Sequence, residues 1–268
     1  MNKRKLTLAI CICVATVIIL SGCSNTAHLV TPSNNNTSNT QSTTLYIPTV
    51  SLAAGGEKIA SKNQEILAVK AEDLIEATDN TENTTKDTII RYDKNGRKYS
   101  FVNNKLVSFA IGDSEYYSSE NTNKLSREKL MEICNEVYKV YESGSKYPEK
   151  YKTDFYYDNS MSIAEYYYYY NNVRTNDCAR IFIDASGCII AAYFQDYGLF
   201  ENLNVPEFDK SDIDAKLKNK LAENGGQIDD LSIAPDQLLY DKDTQSFSMK
   251  YILKDRNGER TDISIPIE

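Results

Sequence analysis

Residues 179–194, ARIFIDASGCIIAAYF, decide the fold class. Two apolar runs flank the turn Asp184-Ala185-Ser186-Gly187. An Asp at the first turn position accepts hydrogen bonds from its own turn backbone, and Gly at the last supplies the left-handed residue of a bulged hairpin. The same chemistry recurs at Asp93-Lys94-Asn95-Gly96 and Asp255-Arg256-Asn257-Gly258, again between strand-like flanks. Ile263, Ile265 and Ile267 alternate with polar residues, as a half-buried strand requires. Antiparallel hairpins are therefore the main local structure.

Outward from these turns, strands are expected at 89–93, 98–102, 105–111, 153–157, 163–170, 179–184, 188–194, 237–241, 246–254 and 261–267. Helices are expected between them. Ser126 to Glu142 opens on a good N-cap and sets Leu130, Cys134, Val137, Tyr138 and Tyr141 on one face. Ser211 to Asn224 has Ser211 as N-cap, Asp212 and Asp214 in the first turn, and a stripe of Ile213, Leu217 and Leu221 before Gly225-Gly226. Residues 61–77 fit a helix through Leu67, Ala71, Leu74 and Ile75, while Glu65 to Lys70 fit a strand equally well. The sum is an α+β fold of two or three repeated units, each a helix packed on a small antiparallel meander sheet. The units span 45–120, 121–200 and 201–268.

The hairpin of Ala179 to Phe194 resembles the terminal hairpin of PepSY-type domains, with Lys254 to Ile267 and Ile89 to Val102 similar in outline. The resemblance implies a surface module without catalytic residues, one that binds or restrains peptidases.

The first 44 residues carry an address. Lys3, Arg4 and Lys5 precede an apolar run from Leu6 to Leu20, and Leu20-Ser21-Gly22-Cys23 follows. The run is about fifteen residues, short of the roughly twenty needed to span a bilayer, and so fits a removed leader. The motif resembles the lipobox of bacterial lipoproteins. That implies a signal peptide over 1–22, diacylation of Cys23, and anchoring at the outer face of the cytoplasmic membrane, in a Gram-positive-type cell. Two acyl chains hold a protein firmly where one holds it marginally. Ser24 to Thr44 is rich in Ser, Thr and Asn and carries no charge, so 23–44 reads as a lipidated flexible tether. His28, the one histidine, lies in it, which leaves the body without a histidine base or metal ligand.

The net charge is −8, and losing the leader removes three cations more. An acidic ectodomain is repelled by nucleic acid, which is no expected partner. The expected partners are the membrane, through the lipid on Cys23, and a protein or cell-wall glycan. Cys134, Cys178 and Cys188 stay in the body. Cys178 lies several residues down the strand opposite Cys188, roughly 15–20 Å away at 3.3 Å per residue, too far for a disulfide. No Cys/His spacing calls for a metal, and no cofactor is implied.

The best candidates for ligand contact are Tyr166, Tyr168 and Tyr170, within the run Tyr166 to Tyr170. On a strand these three share one face, where rings and hydroxyls suit a sugar or peptide. Ser126-x-x-Lys129 and Ser143-x-x-Lys146 match a serine–lysine spacing, but the companion motifs of penicillin-recognising enzymes are missing from the body. Asp79 to Asp87 lacks the Gly and the Glu of a calcium loop. The expectation is a non-catalytic binding module. The alternative is a carboxylate-based hydrolase of cell-wall material, which needs two carboxylates in one cleft. A solute receptor would need parallel sheets in two lobes, against which the hairpins argue.

Overall fold

The computed structural model describes residues 45–76, 88–112, 124–142, 145–194, 196–223, 235–254 and 260–267. The leader, Cys23, the tether with His28, the segment Asp79 to Asp87, Ser143, Gly225-Gly226, Asp229-Asp230 and the turn Asp255 to Gly258 lie outside the described residues.

In chain order come α1 (Glu57–Leu67), β1 (Ile75–Glu76), β2 (Thr88–Tyr92), β3 (Lys98–Val102), β4 (Lys105–Ala110) and α2 (Arg127–Glu142). Then follow β5 (Tyr151–Tyr156), β6 (Met161–Tyr170), β7 (Val173–Asp184), β8 (Ile189–Tyr193), α3 (Lys210–Glu223), β9 (Pro235–Asp241), β10 (Ser246–Lys254) and β11 (Arg260–Ile267).

The expected chain of similar units is corrected. All strands among the described residues join one eleven-stranded mixed sheet. β4 pairs with β8, Ser108 opposite Tyr193 and Ala110 opposite Ala191, so the 45–120 and 121–200 segments share one sheet. They also share one core. Ile66 and Leu67 of α1, and Leu130, Ile133, Cys134 and Val137 of α2, pack with Tyr99, Phe101, Phe109, Ile181, Ile183 and Ile189 from strands of both segments. A side chain of this size contributes about 1.5–3 kcal/mol when fully buried, so neither segment keeps its core without the other.

A second, smaller core holds Ile213 and Leu217 of α3 with Leu238, Met249, Tyr251 and Ile265 of β9–β11. It borrows Tyr168 from β6 and Phe200 from the turn after β8. The attachment is a bulge. Between the pairs Tyr167–Cys178 and Tyr169–Arg174, Tyr168 alone faces Thr175 to Asp177. The freed β7 residues hold β9. Thr175 makes a parallel bridge to Leu238. The Asn176 side chain copies a backbone ladder, its Nδ2 donating to Tyr240 O at 3.0 Å and its Oδ1 accepting from Tyr240 N at 2.9 Å. Arg174 pairs with Asp236 at 2.7 Å.

The turns behave as their residues dictate. Asp184 Oδ1 accepts from the Ser186 and Cys188 amides at 2.8 and 2.9 Å, and Gly187 takes φ +92°. Asp93 does the same for Asn95 and Arg97 at 2.8 and 2.9 Å. Two further hairpins turn on Asn pairs, the first in the gap between the expected strands 98–102 and 105–111, the second because β7 starts at Val173 rather than at 179. Asn103-Asn104 (φ 50° and 64°) joins β3 to β4, and Asn171-Asn172 (φ 47° and 60°) joins β6 to β7. Consecutive left-handed residues are what a two-residue primed turn needs, and Asn tolerates them best after Gly.

The ambiguous 61–77 segment is resolved as α1, a 3₁₀ turn at Ala71–Asp73 and the two-residue strand β1. α1 is tied to the hairpin of 179–194 by Asn63, which is buried. Its Nδ2 donates to Gly187 O and its Oδ1 accepts from Ile189 N, both at 2.9 Å. α2 keeps its expected face and adds Ile133 to it. The cap of α3 shifts: Asp209, not Ser211, accepts from the Ser211 amide and hydroxyl at 2.8 Å. Cys134, Cys178 and Cys188 are free and buried, and burial pushes the Cys178 thiol up to about 11.

Candidate functional site

The tyrosine run follows β6 from one core into the other. Tyr166 is 2% exposed and Tyr168 3%. Tyr166 stacks on Tyr138 of α2 and donates its hydroxyl to Asn135 Oδ1 at 2.7 Å. Tyr168 packs near Phe200, and Lys150 Nζ donates to its hydroxyl at 3.0 Å. The expectation that Tyr166, Tyr168 and Tyr170 form one solvent-facing row is therefore corrected at Tyr166 and Tyr168, whose rings are core. The shared face is the covered one: α2 lies over Tyr166, and the second core receives Tyr168. Tyr170 alone of the three is half-exposed, at the end of β6.

Tyr170 lines an open groove of about 360 Å³ with Tyr169, Asn171, Asn172, Glu149, Lys150 and Lys152. Two local structures build it. The 3₁₀ turn Pro148–Lys150, which Pro148 pre-forms at its start, delivers Glu149 and Lys150 and leads into β5. The Asn171-Asn172 hairpin tip forms the other wall. The Lys152 ammonium stands 4.4 Å from the Tyr169 ring centroid, and that of Lys150 lies 4.5 Å from Tyr147. The hydrogen bond to the Tyr168 hydroxyl raises the Lys150 pKa, against a smaller lowering by desolvation. With two ammonium groups against one carboxylate, the groove is locally cationic in an acidic chain. Rings, ammonium groups and side-chain amides together can stack on a sugar face, pair with a carboxylate and bind hydroxyls. Sequence reasoning reached Tyr170 and missed Lys150, Lys152, Asn171 and Asn172. The Asn-Asn pair between two strand-like runs was the available signal.

A larger cleft, about 680 Å³, runs along α1 beside Leu52 and Ala53 and includes Glu57 and Glu65. Eight helical residues separate these carboxylates by about 12 Å along the axis. Glycosidase pairs stand about 5–10 Å apart. Glu65 is also engaged by Arg97 at 3.3 Å, and Glu136 binds the amides of Ala53 and Ala54 at 2.8 and 2.9 Å. Glu136 thus holds residues 53 and 54 on α2, while Glu65 ties α1 to Arg97. Ser126 Oγ accepts from the Lys129 amide at 3.4 Å as a helix cap, and Lys129 Nζ turns to Glu132 at 2.7 Å, so the first serine–lysine match is structural.

One buried acid stands apart. Asp177, freed by the β7 bulge, accepts from Tyr151 Oη at 2.9 Å, Gly198 N at 3.0 Å and Phe200 N at 2.8 Å. Desolvation outweighs these donors and raises its pKa to about 6. Both oxygens are occupied by the chain itself, and the group locks the 197–202 turn between the two cores. Among the described residues no cluster of His, Cys, Asp and Glu could hold a metal ion. No helix among them is long and apolar enough to cross a membrane.

No family model, curated protein or solved structure matches this chain.

Proposed function

We propose that this chain is a lipid-anchored extracytoplasmic binding module, tethered through Cys23 at the outer face of a bacterial cytoplasmic membrane. In this reading it takes an acidic cell-wall glycan in the Lys150–Tyr170 groove. The observation that carries the reading is the placement of two ammonium groups, two tyrosine rings and two Asn amides around one open groove. A glycan bearing carboxylates uses all three kinds of group. The leader motif and the uncharged Ser/Thr/Asn composition of Ser24 to Thr44 support the address.

The test is co-sedimentation of the full chain with purified cell-wall glycan, set beside Tyr170→Ala and Lys150→Ala. Binding by the wild type that weakens in both variants supports the reading. Binding that is unchanged in both, or absent from the wild type, overturns it. Anchoring is read separately, by incorporation of labelled palmitate into wild type and Cys23→Ser.

A further inference from the structure

Strand β5 is an edge. Among the described residues it pairs with β6 alone, so one row of its backbone N–H and C=O groups faces away from the sheet. Lys152, Thr153 and Tyr156 on it are exposed. Tyr147, Tyr156 and Tyr157, at 40%, 52% and 46% exposure, are large side chains left to solvent at the two ends of this strand. The other edges are blunted. β1 has two residues, and β11 carries Pro266, which cannot donate to a ladder.

Side chains alternate along β5. Tyr151 and Phe155 touch the two cores on the helix-bearing side, which puts Thr153 there too. Lys152, Asp154 and Tyr156 take the opposite side. A two-fold axis through Thr153, perpendicular to the sheet, lays a second β5 antiparallel to the first. Thr153 then faces Thr153 of the second copy, Lys152 faces Asp154 twice, and Tyr151 faces Phe155 twice. Thr–Thr, opposite-charge and aromatic pairs are the cross-strand combinations that stabilise an antiparallel ladder.

The register is selective. Sliding the copies by two residues sets Lys152 against Lys152 or Asp154 against Asp154. Sliding by one sets residues of opposite pleat side against each other and leaves the outward N–H and C=O groups without partners, so no ladder forms. We propose that this chain forms a symmetric homodimer by antiparallel β5–β5 pairing centred on Thr153. The two sheets become continuous, with both helical layers on one side. This goes beyond the glycan-binding reading and does not rest on it.

The charges supply the test. In the full chain held in detergent, sedimentation equilibrium should give a dimer for the wild type. Lys152→Asp and Asp154→Lys each set like charges opposite one another and should weaken dimerisation roughly tenfold or more. An equimolar mixture of the two restores opposite charges at every position and should dimerise like the wild type. Circular dichroism of each single variant should match the wild type, which separates a broken interface from a broken fold. Thr153→Cys, at the axis, should crosslink between copies on mild oxidation. A wild type that stays monomeric, or dimers that neither charge reversal weakens, would sink the proposal. In the first case the edge is left to a peptide strand of another protein. Failure of the mixture to recover overturns the register.

Discussion

The rings of Tyr138 and Tyr166 lie face to face, with centroids 3.8 Å apart and planes 2° from parallel. One comes from α2 and the other from the middle of β6, so this stack fixes the helix on the sheet. Tyr197 closes the edge, its hydroxyl 3.2 Å from that of Tyr138. Tyr138→Ala should cost about 3–5 kcal/mol through the cavity it leaves, whereas Tyr166→Phe, which loses only the bond to Asn135, should cost about 1 kcal/mol. Urea unfolding of both variants measures the difference.

Tyr141 contrasts with its neighbours. It stacks on Phe194 at 3.7 Å, but its buried hydroxyl has no hydrogen-bond partner among the described residues. Removing an unsatisfied polar atom removes its desolvation cost. Tyr141→Phe should therefore raise stability by about 1 kcal/mol, read as a higher melting temperature.

Asp177 makes stability depend on pH in a defined direction. Its folded pKa, raised to about 6, lies above the ordinary value of 3.8. The folded state then binds the proton more tightly, so this contribution is fully present below the unfolded value and lost as pH rises through about 6. The stability of the wild type relative to Asp177→Asn should increase by about 2–3 kcal/mol as pH falls from 7 to 4. Taking the difference cancels the depressed carboxyls of Asp158, Asp209, Asp241 and Asp262, which act in the opposite direction. A flat difference across this range would contradict the assignment.

Gly187 should tolerate no side chain. Its φ of +92° is strained for any L-residue, and an added Cβ would stand 2.8 Å from Leu125 Cδ1 and 3.0 Å from Ile133 Cδ1. Gly187→Ala should cost about 2–4 kcal/mol in thermal or urea unfolding, from backbone strain and the displaced α2 contact together.

Asn63 binds the same turn from α1 through both ends of its amide. Asn63→Ala strands a buried carbonyl and a buried amide and should cost about 2–4 kcal/mol. Asn63→Asp keeps the acceptor and loses the donor, so it should remain destabilised. Both are checked by the same unfolding assay.

The separate pieces were legible in the chain. Asp93, Asp184 and their following glycines dictate their turns because a side-chain carboxylate and a left-handed residue act within four positions of chain. The stripe of α2 and the alternation in β11 are equally local, set by helical and strand periods. How these pieces join was not legible there. Whether the edge of β4 meets β8 is a choice between strand edges distant in sequence, and no period within either strand records it. That pairing merged two expected units into one sheet. The tyrosine run shows the same limit. An amphipathic ring fits core and surface alike, so Tyr166, Tyr168 and Tyr170 read identically along the chain. Their fates diverged because α2 lies over the first, the second core encloses the second, and the third, at the end of β6, packs only partly on that core and borders the groove with Lys150 and Lys152.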